Sequence, residues 1–216
     1  MRSFCAVFAP VVLMAALAVP AEGLLIQQVE PDASLAEAQF QVFDRGDHIQ
    51  VDLMKEFKDP FMMGSPLVLQ FILEDGDAGK EIRLYHLVDM GGPAEEMLGE
   101  AVLNSTGLDW LDYHVLLVNV APNSIPQLPQ FADAAFSNPS GVVADYFGSP
   151  VAATEDHLDF AGGPLPSGLG MYVDGIVITH NGVPNGVFYL KQIPTPEPAV
   201  LSLLAAGALL LTRRRK

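Results

Sequence analysis

The chain reads as an all-β protein, an antiparallel β-sandwich of jelly-roll type carried between two apolar termini. Three observations predict it. Apolar residues recur in short or alternating runs at the strand period. Those runs are bounded by Gly, Pro, Asn and Asp, the residues of turns. Stretches such as Val115-Leu116-Leu117-Val118 are apolar on both faces, as expected of a central strand covered on two sides.

In chain order the pattern predicts strands over residues 24–29, 38–43, 48–54, 67–74, 81–88, 113–120, 171–179 and 186–192. Gln39-Phe40-Gln41-Val42-Phe43, then Asp44-Arg45-Gly46-Asp47, then His48-Ile49-Gln50-Val51 reads as a hairpin with Gly46 free to take a positive φ. Arg45-Gly46-Asp47 matches a cell-adhesion tripeptide, but in this position it is a turn sequence. A second hairpin is expected across Asp75–Lys80, between two β-prone runs. Residues 94–102, after Pro93, read as one short helix, and 121–140 and 161–170 as surface loops rich in Pro, Gly, Ser and Asn.

Charge is distributed as unevenly as hydropathy. The body, residues 22–192, carries 25 acidic residues against 6 basic ones, a formal charge of −19. Such a surface excludes nucleic acid as a partner, because binding a polyanion requires basic side chains to displace its counterions. The single cysteine, Cys5, lies near the N-terminus, so the body has neither thiol nor disulfide and must be held by packing. Its length suits one domain of the usual size.

Residues 1–21 read as a signal peptide. Arg2 supplies the positive end, residues 4–19 are apolar apart from Pro10, and Val19-Pro20-Ala21 places small residues for cleavage after Ala21. Pro10 and the short run disfavour the alternative of a retained spanning helix. At the other end, residues 193–198 read as a Pro-rich linker and 199–216 as a membrane tail. The apolar part, residues 199–212, would make a helix of about 21 Å against a hydrocarbon core of about 30 Å. It is apolar on every face, and Arg213, Arg214, Arg215 and Lys216 can snorkel to lengthen a short span. The positive-inside tendency keeps that basic end in the cytoplasm and the body outside.

Pro196-Glu197-Pro198, the apolar run and the terminal Arg213-Arg214-Arg215-Lys216 together resemble the sorting tail of PEP-CTERM proteins. The resemblance covers about the last twenty residues and gains from the signal peptide at the opposite end. It implies recognition of Pro196, Glu197, Pro198, Arg213, Arg214 and Arg215 by an exosortase in the inner membrane, then release to the cell surface or an exopolysaccharide matrix. Two body segments, residues 104–114 and 160–168, resemble segments recurring in exported β-rich proteins of that kind. They imply one β domain leading into the sorting signal and no catalytic residues.

Within the body, Glu74, Asp75 and Asp77 are the candidate metal ligands, since carboxylate oxygens at such spacing on a turn suit calcium. The alternative is a solvated acidic turn. Asp109, Trp110, Asp112, Tyr113 and His114 form the densest polar-aromatic cluster. Trp110 and Tyr113 are the candidate glycan platform there, against the alternative that both pack the core. The five histidines, His48, His86, His114, His157 and His180, show no metal-ligand spacing, and no HExxH, nucleophile elbow or phosphate loop occurs. The expectation is a non-enzymatic exported surface or matrix protein without a resident cofactor, associated with exopolysaccharide. The alternatives are a secreted glycan-active enzyme and a calcium-stabilised binding module on the same sandwich.

Overall fold

A computed structural model describes residues 24–30, 33–59, 66–87, 99–119 and 131–196. The expected signal peptide, the residues Glu197 and Pro198, and the tail with Arg213, Arg214 and Arg215 lie outside the described residues. Among the described residues there is no α-helix, and no helix is long and apolar enough to cross a membrane.

Among the described residues fourteen strands follow one another: β1 (Leu24–Glu30), β2 (Ala36–Asp44), β3 (His48–Phe57), β4 (Leu67–Leu73), β5 (Glu81–His86), β6 (Gly99–Asn104), β7 (Trp110–Val118), β8 (Ala135–Phe136), β9 (Val143–Ala144), β10 (Ala152–Ala153), β11 (His157–Leu165), β12 (Gly170–Asp174), β13 (Val177–Thr179) and β14 (Val187–Pro196). They form two sheets. The first is ordered β1-β4-β14-β7-β11-β10 and is antiparallel throughout. The second is ordered β8-β13-β5-β3-β6-β12-β9, with β2 on β3's other edge.

The second sheet departs from the antiparallel expectation. β3 runs parallel to β5 over its first half and parallel to β6 over its second, so β5 and β6 succeed one another along one edge. The expected hairpin at residues 75–80 is corrected as well. β4 belongs to the first sheet and β5 to the second, so this turn carries the chain between layers. Turn chemistry signals a reversal but not which strands then pair. Of the expected helix, residues 99–102 belong to β6, where Glu100, Val102 and Asn104 face inward at the strand period.

Two further corrections follow from backbone freedom. The run 171–179 is two strands, because Gly175 at φ +83° turns the chain out of β12 before β13 begins. The expected loop at 161–170 opens instead with the continuation of β11. Gly162 at φ +106° admits a bulge there, and four steps along β11 from Ala161 to Leu165 match two along β7 from Asp112 to Trp110. The last strand runs through Pro194 and Thr195 to Pro196, so residues 193–196 belong to the sheet and not to a linker. Beyond Gln192, among the described residues, only β7 borders β14, and prolines two residues apart put both missing donors on the same edge.

The sheets face each other across one core containing Ile49, Val51, Leu53, Phe71, Val115, Phe160, Phe188 and Leu190. Phe57 of the second sheet meets Trp110 of the first edge-to-face at 5.2 Å, and Phe71 stacks on Phe188 at 4.7 Å. A polar network also bridges the layers. Lys55 Nζ donates to Glu100 Oε2 at 2.6 Å, Gln192 Nε2 donates to Glu100 Oε1 at 2.5 Å, and the Tyr113 hydroxyl donates to Gln192 Oε1 at 2.6 Å. All four side chains are fully buried.

Candidate functional site

On strands β7 and β11 the inward positions Tyr113, Val115, Leu117, Leu158 and Phe160 are buried, so their neighbours point to the outer face of the first sheet. That alternation brings out His114 from β7, and His157 and Asp159 from β11. The ladder places Asp159 directly opposite His114, and His157 opposite Leu116, which is diagonal to His114 on the same face. His114 Nδ1 lies 2.5 Å from Asp159 Oδ1, and His157 Nε2 lies 2.7 Å from the same oxygen. The three donor atoms all fall within 4.8 Å of one another, the only such group among the described residues.

The cluster is half-buried, with side-chain exposures of 30% for His114, 39% for His157 and 25% for Asp159. Ile193 of β14 flanks His114, and Lys191 lies beyond Leu116. The turn leading into His157 borders an open concavity of about 480 Å³ whose lining includes Asp133, Glu155 and Asp156. Two imidazoles and a carboxylate can hold a proton between strands or hold a borderline metal ion.

The residues singled out from the sequence fare differently. Asp77 is fully buried, and its Oδ2 accepts the Glu74 amide N–H at 2.7 Å, so it shapes the turn from within. Asp75 is exposed, and Glu74, Asp75 and Asp77 do not gather as a metal-binding group. Asp77 Oδ1 is buried with no hydrogen-bond partner among the described residues, and burial pushes the carboxyl's pKa above its usual 3.8. A carboxyl whose folded pKa is raised contributes stability below 3.8 that is lost as pH rises through the folded value. Asp77→Asn keeps an acceptor for Glu74 and cannot ionise. It is expected to be less sensitive than wild type to a rise from pH 3.5 to 7, as read by urea denaturation; an unchanged slope would assign that pH dependence elsewhere.

Trp110 and Tyr113 are completely buried and offer no aromatic face to a glycan, which corrects that candidate in favour of core packing. A bulge explains why residues three apart share a face. One step along β14, from Thr195 to Pro196, matches two along β7, from Asp112 to Trp110. Both rings therefore point inward, nearly parallel and 6.1 Å apart.

The other histidines stand singly. His48 pairs with Asp47, and His86 Nε2 lies 2.9 Å from Asp174 while its ring stacks on Tyr172. His180 Nδ1 accepts the Gly182 amide N–H, and burial lowers its pKa. No family model, curated protein or solved structure matches this chain. The site is accordingly read from its own donors.

Linear spacing did not reveal the cluster, because His114 precedes Asp159 by 45 residues. One local signal was present. In His157-Leu158-Asp159-Phe160 the polar and apolar residues alternate, which on a strand puts His157 and Asp159 on one face.

Proposed function

We propose that this chain is an exported, non-enzymatic β-sandwich of the cell surface or extracellular matrix, delivered by its N-terminal apolar segment and sorted through its Pro196-Glu197-Pro198 tail. The observation that carries this reading is the order of elements at the C-terminus: Pro-Glu-Pro, an apolar run and a basic end. The end of the fold is compatible with it. β14 carries the described chain as far as Pro196, the first residue of the Pro196-Glu197-Pro198 motif, so the β domain leads directly into that motif. An exosortase is the processing partner, the membrane holds the tail before processing, and an exopolysaccharide matrix is the destination.

The body's charge agrees with an extracellular role that excludes polyanionic nucleic acid. Lys55, Lys58, Lys80 and Arg83 each lie against a carboxylate, so they build no free basic patch. Intact mass and cell fractionation of wild type and Glu197→Ala test the proposal. Wild type is expected outside the cell, lacking residues 1–21 and the terminal Arg213–Lys216, with the variant retained in the membrane. Identical fractionation of the two forms, with Lys216 still present in wild type, would overturn it.

A further inference from the structure

We propose that His114, His157 and Asp159 form a binding site for a divalent transition cation of zinc type, held across β7 and β11 with water completing its coordination. The donor set selects the class of ion. Two imidazole nitrogens and one carboxylate oxygen suit zinc and its first-row neighbours, whereas calcium and magnesium prefer shells of oxygen. The distances are those of a site nearly closed on itself. Zinc lies about 2.0–2.2 Å from such donors, which sets neighbouring ligand atoms somewhat over 3 Å apart. The two nitrogens stand 2.5 and 2.7 Å from Asp159 Oδ1, so a small opening of the cluster admits an ion.

The support beneath the donors is rigid. β7 and β11 are hydrogen-bonded neighbours, and the residues that alternate with the donors, Tyr113, Val115, Leu158 and Phe160, are completely buried. Ligands on such strands keep their spacing with little ordering cost on binding. Partial exposure gives the ion a path in and leaves positions for water. The field is favourable as well: the body is strongly acidic, and Asp112 lies on the same face, with Glu155 and Asp156 on the turn before His157. Lys191, the nearby cation on β14, is set apart from His157 by Leu116.

Without an ion, Asp159 clasps two imidazoles and ties β11 to β7. The experiment must separate that clasp from a metal site. The naturally processed protein, stripped with a chelator, is titrated with zinc by calorimetry and followed by thermal unfolding. One zinc per chain is expected, with Tm rising by about 5–10 °C at a hundredfold excess over Kd. Magnesium and calcium are expected to leave Tm unmoved. His114→Gln and His157→Gln each weaken zinc binding at least about tenfold, as loss of a ligand should. Should the variants fold poorly, cobalt added to wild type reports independently, by shifting the ring-proton NMR signals of His114 and His157. An unmoved Tm, equal zinc uptake by the His114→Gln/His157→Gln double variant, or cobalt shifts confined to His48, His86 or His180 would overturn the assignment. None of these outcomes bears on sorting, which is read from the tail.

Discussion

Glu100→Ala is expected to remove about 3–5 kcal/mol of folding stability, the range found when one partner of a buried ion pair is deleted. That is a large share of the 5–15 kcal/mol typical of a whole domain, so the variant should unfold at markedly lower urea. The reason is what remains: with the carboxylate gone, the Lys55 ammonium loses the acceptor at 2.6 Å in a fully buried site. Burial already lowers the Lys55 pKa to about 8, outweighing the opposite pull of Glu100. By contrast Lys55→Met/Glu100→Leu, which removes both charges and fills the space, is expected to cost less than Glu100→Ala, its remaining loss of about 1–3 kcal/mol coming from the buried Gln192 Nε2 donor that loses its Glu100 acceptor. A loss below about 1 kcal/mol in Glu100→Ala would mean that Lys55 finds another partner or reaches water.

The same pair sets a pH dependence of defined sign. Lys55 has a folded pKa of about 8 against an unfolded value of 10.5, so between those limits the unfolded chain binds a proton that the folded chain does not. Stability therefore rises with pH across that window and is lost as pH falls through 8. Tyr113 acts oppositely. Burial, and then the charge of Glu100, hold its hydroxyl protonated well above pH 10, so its contribution is intact below 10 and declines above it. A gain between pH 8 and 10 that reverses beyond 10 is expected in wild type, and the double variant should lack the gain.

Much of the sandwich is legible in alternation alone. Ile49, Val51, Leu53 and Phe57 mark the inward face of β3, and the hairpin to β2 pairs from Ala36 with Phe57 to Asp44 with Ile49. What hides in the sequence is the polar exception. Lys55 occupies an inward position in that series and reads as the end of the strand, until it is seen to pair with Val102 on β6 and to reach Glu100 two residues before it. Glu100 in turn sits among Ala, Glu, Met and Leu, whose helix propensity masks a strand whose identity is set by tertiary pairing. Glycines conceal β11 for a similar reason, since Gly162 and Gly163 signal a loop while the bulge merely bends the strand. The two body segments noted for their resemblance prove to be one packed unit: Asn104 Nδ2 donates to the Leu165 carbonyl at 3.0 Å, Gly168 N–H donates to the Asn104 carbonyl at 2.7 Å, and Ser167 N–H donates to Asp109 at 2.9 Å. No residue spacing states that contact, and the same holds for His114 with Asp159.

Trp110→Ala should cost about 3–5 kcal/mol, the usual range for emptying a buried aromatic site. The indole is completely buried, edge-on to Phe57 and parallel to Tyr113, and its N–H donates to Thr106 Oγ1 at 3.3 Å. Thr106 in turn donates to Asn104 Oδ1 at 2.7 Å, so the cavity would open beside the turn that joins β6 to β7. Trp110→Phe keeps a ring against Phe57 and removes only the indole donor, while the Leu108 amide N–H still donates to Thr106 Oγ1 at 3.3 Å, so it is expected to cost less. Trp110 is the chain's single tryptophan, so fluorescence reports this position alone. A blue-shifted emission that neither acrylamide nor added polysaccharide quenches is expected; ready quenching by either would contradict burial. A polysaccharide ligand, if the body binds one, would then need other surface. Tyr146 and Tyr172, each about half exposed, present the aromatic faces that Trp110 does not, and Tyr172 already lies flat on His86 at 4.0 Å. Binding that survives Trp110→Phe and falls in Tyr172→Ala would locate that contact on the second sheet, away from the histidine cluster of the first.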